Sequence, residues 1–260
     1  MKLPVIFINL DSDADRRVRM QAEFARLGLR GERFDATRWT ALSEAEQARL
    51  YSPQLNAEQF HKSLVNGEKG CYASHLRCWQ SLLESDAPAL VVLEDDVALK
   101  PGFGAVIEAI ERLPAGWDMI KLIGRLDERK GEKLLRAQAL APGFQLVDYK
   151  RVPSLTAGYV VSRSGAAKLL ARRIPFGRPI DVDLRHWWEH ADGGLKIHGV
   201  LPAAITLDDT SFQSSIGTKT AERGLADAWR KFRMKASYTL LNLWHRPRHH
   251  NPAENKHGTD

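Results

Sequence analysis

Along the chain, short apolar runs alternate with longer stretches in which apolar residues recur every three or four positions, and this alternation predicts strands separated by helices. The run "PVIFINL" (4–10) is continuous and β-branched, the pattern of a strand buried on both faces. It stops at Asp11-Ser12-Asp13, residue types that can cap a following helix. In "ADRRVRMQAEFARLGL" the apolar residues at 18, 20, 24, 27 and 29 share one helix face, and Gly28 and Gly31 close the segment. "GERFDAT" (31–37) supplies a second short strand, so the chain opens as strand–helix–strand, the start of an α/β sheet. Residues 40–66 are polar and irregular apart from an Ala/Glu-rich helix at 43–50. A helix over 66–86 buries residues 71, 72, 76, 79, 82 and 83. "PALVVLED" (88–95) reads as a buried strand, "GFGAVIEAIERLP" as a helix and "WDMIKLIG" (117–124) as another strand. Residues 125–150 form a loop or a β-hairpin excursion, and 156–174 a strand, a turn and a helix. "PIDVDLRHWWEH", a strand-like "LKIHGVLPAAITL", a basic tail and a frayed end at "HNPAENKHGTD" complete the chain, with no internal repeat.

Composition narrows the class. With 260 residues, 43% hydrophobic and 27% charged, the chain suits a soluble globular protein of one large or two small domains. The apolar start meets charge by residue 11, so it reads as a strand and not as a signal peptide, and no 18-residue apolar stretch exists to span a membrane. Cys71 and Cys78 stand two helical turns apart, roughly 10 Å of rise, too far for a comfortable disulfide. They read as reduced core thiols of a cytosolic protein. The net charge of +6 is uneven: residues 219–250 carry eight Lys/Arg against two acids, while residues 1–218 are close to neutral. This divides the chain into a main domain, 1–218, and a basic tail, 219–260.

The stretch "ALVVLEDDVAL" (89–99) drives five apolar residues into three acids, Glu94, Asp95 and Asp96. Unpaired, adjacent carboxylates repel one another and are costly to desolvate. In an extended chain Glu94 and Asp96 share one face while Asp95 points elsewhere. Open α/β sheets bind ligands at the C-terminal ends of their strands, where this cluster lies. A hard cation, Mn²⁺ or Mg²⁺, would neutralise it; a solvated acidic loop or ion pairs with Lys and Arg are the bland alternative.

The triplet resembles the Asp-x-Asp element of GT-A nucleotide-sugar transferases. Several further pieces resemble glycosyltransferase family 25, the bacterial lipooligosaccharide galactosyl- and glucosyltransferases, itself similar to the collagen galactosyltransferases. They are "VIFINLDSDADRR" (5–17), "GEKGCYASHLRCW" (67–79), "VVLEDDV" (91–97), "WDMIKL" (117–122), "GYVVSRSGAAKLL" (158–170) and "PIDVDL" (179–184), in the family's order over about residues 4–216. The "GE-x-GC-x-x-SH" segment is far more specific than an acidic triplet alone. The resemblance implies a GT-A-type, Rossmann-like, mostly parallel sheet flanked by helices.

It also implies roles. Asn9 and Arg16 or Arg17 would lie where the nucleotide binds, an arginine suiting a diphosphate, unless the arginines merely form a polar helix face. Glu68 lies in the glycine-rich start of a helix whose amides can face an anion, with Ser74 and His75 one turn inside. His75 would contact donor phosphate or sugar, or be a buried, hydrogen-bonded histidine. Asp96 would be the metal ligand together with Glu94, and Glu94 or Asp95 would contact ribose or sugar. Asp181 would take the proton from the acceptor hydroxyl in an inverting transfer, with Asp183 on the same face of an extended chain, or Asp181 would cap a helix. Trp187 and Trp188 could stack on a sugar; His198 or Asp208 could be a second metal ligand; Gln213, Ser214 and Ser215 resemble a polar end near the acceptor or diphosphate.

Residues 225–244 place Leu225, Trp229, Phe232, Ala236, Leu240 and Leu243 on one stripe, with Arg230, Lys231, Arg233 and Lys235 beside it. Such a basic amphipathic helix either anchors to anionic lipid or packs its stripe on the domain. Nucleic-acid binding is not expected, since the charge is local and no recognition motif accompanies it. The expectation is a metal-dependent hexosyltransferase moving galactose from a UDP-sugar to a lipid-linked oligosaccharide acceptor, cytoplasmic and peripheral on the inner membrane. The alternatives are a catalytically silent sugar- or membrane-binding module and, more distantly, a metal-dependent phosphohydrolase.

Overall fold

The computed structural model describes residues 2–124, 134–189, 194–208 and 225–245, with side chains of the last segment from Trp229 onward. Residues 125–133, the boundary at 218/219, Gln213, Ser214, Ser215 and the frayed end lie outside the described residues. In chain order the elements are β1 (Val5–Asn9), α1 (Ala14–Arg26), β2 (Glu32–Asp35), α2 (Glu44–Leu50), α3 (Pro53–Gln59), α4 (Asn66–Glu84), β3 (Ala89–Glu94), β4 (Val97–Leu99), α5 (Phe103–Glu111) and β5 (Met119–Lys121). There follow β6 (Leu134–Ala141), β7 (Phe144–Tyr149), β8 (Gly158–Ser162), α6 (Arg163–Arg172), α7 (Ile180–Asp183), β9 (Ile197–Leu201), β10 (Ile205–Leu207) and α8 (Leu225–Trp244).

Eight strands form one mixed sheet in the order β2-β1-β3-β8-β5-β9-β7-β6. The first three run parallel, β8 enters antiparallel between β3 and β5, and β5 and β9 are again parallel. This is an α/β fold with helices on both faces. The β6–β7 hairpin realises the excursion expected around 125–150. Alternation along the strands splits the core. Ile6, Ile8, Leu90 and Val92 pack with Trp79, Leu82 and Leu169 of α4 and α6, whereas Phe7, Val91 and Leu93 pack with Phe24 and Ile107 of α1 and α5.

Helix α4 starts on glycines that each cost a helix about 1 kcal/mol. Burial of Tyr72, Trp79 and Leu82, at about 1.5–3 kcal/mol per large side chain, outweighs that cost. Gly70 is required for another reason: a Cβ there would stand 2.6 Å from the Thr37 carbonyl oxygen. The strand registers Ile8↔Glu94, Leu93↔Gly158 and Lys121↔Tyr159 bring the ends of β1, β3 and β5 and the start of β8 to one edge. After Glu94 the chain turns through Asp95 and Asp96 into β4, which pairs with β10 in a separate two-stranded sheet.

Three local expectations are corrected. Asp13 precedes α1 without a side-chain cap, because the helix start is tied down through the Asp13 carbonyl, which accepts from the Asn9 amide at 3.1 Å. The 40–66 stretch holds a further helix, α3, started by Pro53 and capped by Ser52, whose hydroxyl accepts from the Leu55 N–H at 3.1 Å. Helix α8 docks by a face the apolar stripe does not include. Tyr238 and Asn242 are buried, Asn242 accepting from the Trp187 indole (3.2 Å) and donating to the Lys150 carbonyl (3.1 Å). Trp229, Phe232, Leu240 and Leu243 point outward, so the stripe does not pack on the domain.

Candidate functional site

The last residue of β3 faces α4, in phase with Leu90 and Val92. Glu94 accepts a hydrogen bond from the Thr156 hydroxyl (2.9 Å) and lies 3.5 Å from His75 Nε2. Burial opposes its charge; His75 and Thr156 outweigh burial and hold its carboxyl below the usual range. The Tyr159 hydroxyl accepts from the Trp79 indole (2.9 Å) and meets His75 Nδ1 at 2.8 Å. A phenol that already accepts from an indole gives its own proton to Nδ1, which leaves the His75 proton on Nε2, aimed at Glu94. Cys71, His75 and Glu94 bring donor atoms within 4.8 Å of one another. His75 Nε2 has no hydrogen-bond partner among the described residues, and burial with the charges of Glu94, Asp181 and Asp96 pushes the Cys71 thiol well up, against its ionisation.

The three adjacent acids have three fates. Asp95 is buried and both its oxygens are taken, one by the Asn9 amide (2.7 Å) and one by Arg16 (2.9 Å), while Arg19 donates to its carbonyl. The ribose or sugar contact expected of Asp95 therefore gives way to a structural tie between β1, α1 and β3. Asn9 also accepts from Arg33 Nε at 3.0 Å, so it too serves that tie. Arg17 pairs with exposed Asp11, leaving Arg16 as the one of the two that reaches the cluster. Asp96 is different: its Oδ1 is buried with no hydrogen-bond partner among the described residues. Burial, with the charges of Glu94 and Asp95, pushes its carboxyl up to about 6. An orphaned buried carboxylate oxygen next to a second carboxylate is a donor set that fits a hard divalent cation, with Asp96 and Glu94 as the residues that would hold it. Of the two candidates for a further ligand, His198 pairs with Asp148, whereas Asp208 stands beside Asp96, its N–H donating to the Asp96 carbonyl (2.8 Å) while its carboxylate pairs with Arg19.

Asp181 lies at the first turn of α7, half-buried and near enough to Lys121 and Glu94 to feel both charges. Burial raises its pKa; the Lys121 ammonium pulls against that rise. The 179–184 segment is a short helix and not extended, so residues two apart point to different sides. Asp183 accordingly faces the core. It accepts from Arg173 (2.8 Å), from Arg178 Nε (2.9 Å) and from the Tyr72 hydroxyl, and this network removes it from the catalytic role expected of it.

Other expected contacts resolve as architecture. Glu68 accepts from the Val65 N–H (2.9 Å) and pairs with Lys62, completing the start of α4 in place of binding an anion. Ser74 accepts from the Thr37 N–H (2.8 Å) and donates to the Gly70 carbonyl (2.8 Å). Trp187 bonds to Asn242, and Trp188 packs on Tyr238 and His245, so both half-buried tryptophans seat α8. Sequence reasoning missed Lys121, Leu155, Thr156 and Arg19. Lys121 had a signal, a lone cation inside the apolar run "WDMIKLIG". Leu155 had none, since a leucine at φ 73° is set by tertiary contacts.

Comparison with known proteins agrees with this geometry. The family model described as "Glycosyltransferase family 25 (LPS biosynthesis protein)" matches residues 2–184. A "Glycosyltransferase 25 family member" of Anopheles gambiae is 30% identical over 190 residues, covering 69% of this chain and 30% of that protein. The human "Inactive glycosyltransferase 25 family member 3" is 30% identical over 186 residues (69% and 30%), and human "Procollagen galactosyltransferase 2" is 26% identical over 186 residues (69% and 29%). The match thus takes in less than a third of each relative's length. With the acidic strand end, the "GE-x-GC-x-x-SH" helix start and the family model all falling within one contiguous region, the chain belongs to glycosyltransferase family 25.

Proposed function

We propose that the chain is a hexosyltransferase that moves galactose from a UDP-sugar to a hydroxyl of a lipid-linked oligosaccharide, using Mn²⁺ or Mg²⁺. The observation that carries this reading is the buried carboxylate oxygen of Asp96, which has no hydrogen-bond partner among the described residues and stands two positions after Glu94 at the end of β3. Asp96 and Glu94 would hold the cation, which when bound supplies positive charge to the departing diphosphate. The chain's own part is proton transfer and positioning. Asp181, whose carboxyl burial raises against the pull of the Lys121 ammonium, accepts the proton of the acceptor hydroxyl as that oxygen attacks the anomeric carbon from the face opposite UDP. Galactose is favoured by the name of one relative, and a lipid-linked acceptor by the family's description. Helix α8, with its outward apolar stripe and its four adjacent cations, would hold the enzyme at an anionic membrane surface.

A screen of UDP release over UDP-galactose, UDP-glucose and the UDP-N-acetyl sugars, with and without Mn²⁺, tests the reading. The expected result is Mn²⁺-dependent turnover that is highest with UDP-galactose and falls at least about a hundredfold in a folded Asp96→Ala variant. Full activity in Asp96→Ala would overturn the metal assignment. A second reading, a catalytically silent module, is favoured by the relatives named inactive, and absence of turnover with every donor would support it.

A further inference from the structure

Helix α4 carries Cys71 and His75 four positions apart, so both side chains leave one face, a turn from each other. That face meets the end of β3. Cys71, His75 and Glu94 bring donor atoms within 4.8 Å of one another, and His75 Nε2 stands 3.5 Å from Glu94 Oε1. Around a tetrahedral zinc ion, bonds of about 2.0–2.3 Å separate neighbouring donors by about 3.3–3.8 Å. The nitrogen and oxygen already have that spacing, and the sulfur closes the rest by a small side-chain rotation.

A second observation points to a ligand. His75 is fully buried, and its Nε2 has no hydrogen-bond partner among the described residues. A ring nitrogen enclosed in this way is costly. The other nitrogen is held by the Tyr159 hydroxyl (2.8 Å), itself fixed by the Trp79 indole (2.9 Å). Metal-binding histidines have this arrangement, one nitrogen anchored by an outer partner and the other facing the ion. Cys71 and Glu94 are only half-buried, which gives an ion a path in. The charges of Glu94, Asp96 and Asp181 that disfavour the Cys71 thiolate attract a divalent cation, and a bound ion removes the thiol proton outright. One sulfur, one nitrogen and one oxygen suit zinc, whereas Mn²⁺ and Mg²⁺ prefer oxygen ligands.

We propose that Cys71, His75 and Glu94 form a binding site for zinc or a like cation, and that an ion held there stops transfer by drawing Glu94 away from the hard cation of the reaction. On binding, Cys71 gives its thiol proton to solvent. The His75 ring takes its other tautomer: the proton leaves Nε2, and Nδ1–H donates to the Tyr159 oxygen, which has a second lone pair beside the one that the Trp79 indole occupies. Water fills the fourth position. The inhibitory effect, unlike the site, rests on the reading of Glu94 as a ligand of the transfer cation.

The test uses the full chain, with Co²⁺ as a spectroscopic stand-in for zinc and Zn²⁺ then competing for it. The expected result is the near-ultraviolet band of a thiolate–Co²⁺ bond at one equivalent, removed by Zn²⁺. Cys71→Ser is expected to abolish the band and to weaken zinc binding by more than the about 10–100-fold that loss of an outer-shell partner brings. Cys78→Ala is expected to keep the band. In the wild type, zinc is expected to slow alkylation of Cys71, read by mass spectrometry. No band in the wild type, a band that survives in Cys71→Ser, or alkylation of Cys71 indifferent to zinc overturns the site. With UDP-galactose and Mn²⁺, zinc is expected to stop wild-type turnover at the concentration that displaces Co²⁺. More zinc is expected to be needed when Mn²⁺ is raised and in Cys71→Ser, each protein being compared with its own zinc-free rate. Full turnover with zinc bound, or inhibition indifferent to Mn²⁺, overturns the sharing of Glu94 and not the site. A wild type that binds zinc through Cys71 but turns over no donor sinks the transferase reading alone.

Discussion

Asp181 and Asp183 show how two identical side chains, two positions apart, take opposite parts. Asp183 has 5% side-chain exposure and is enclosed by Arg173 and Arg178, each 4% exposed, and by the Tyr72 hydroxyl. Burial opposes its charge, but the two guanidinium groups prevail and hold its carboxyl below the usual range. Removing one member of a buried ionic network strands the others, at about 3–5 kcal/mol. Asp183→Ala is therefore expected to lower the urea-unfolding free energy by that amount. Asp181→Asn, by contrast, removes a charge that burial disfavours, and is expected to leave stability unchanged or slightly higher while abolishing transfer. The comparison fails if Asp183→Ala unfolds at the wild-type urea concentration.

At the scale of elements, strong periodicity was legible and weak periodicity was not. The segments that became β1, β3, α4, α5 and α6 each carry a full apolar face, and their positions follow from the sequence. Helix α3 was missed because it is seven residues long and rests on its Ser52 cap and Pro53 start, with little apolar face to see. In the candidate site, the acids were legible as a cluster, but their division into a structural Asp95 and an Asp96 whose Oδ1 has no partner among the described residues depends on where Asn9 and Arg16 stand, 86 and 79 positions away from Asp95. Nor could sequence show that α7 and α8 share one core around His186. That ring is buried, bonds through Nδ1 to the Val182 carbonyl (3.0 Å) and packs on Trp188 and Tyr238. Burial, reinforced by Arg178, brings its pKa down to about 4, despite the opposing pull of Glu189 and Asp183. Unfolded, the histidine titrates near 6.5, so between pH 6.5 and 4 the unfolded chain binds the extra proton and stability falls as pH falls. The loss from this one group is about 3 kcal/mol, complete below pH 4. A His186→Phe variant is expected to show a correspondingly flatter dependence of its urea midpoint over that window, and an identical pH dependence in the two proteins would contradict the assignment.

For the whole molecule, the question is what the outer face of α8 is for. Among the described residues no helix is long and apolar enough to cross a membrane. Yet α8 holds Trp229 and Trp244 at 64% and 84% exposure, with Phe232 stacked on Trp229 at 5.7 Å. Its inner face is joined to the domain: Arg185, which donates to the Val152 carbonyl, also lies over the Tyr238 ring of α8 at 4.6 Å. A surface that received the outer face of α8 would thus lie on the far side of that helix from Arg185 and Val152. Four cations near an anionic surface contribute about 1 kcal/mol each, which corresponds to about a thousandfold in partitioning. Burying two aromatic side chains adds a salt-independent contribution of similar size. The full chain is therefore expected to float with vesicles rich in phosphatidylglycerol and not with purely zwitterionic ones, and to be largely released by 1 M salt. Trp229→Ser with Phe232→Ser should weaken that binding while leaving kcat on a water-soluble acceptor at the wild-type value. Should the protein stay in the aqueous fraction with anionic vesicles at low salt, the outward stripe is not a lipid-facing surface, and the acceptor must reach Asp181 by another route.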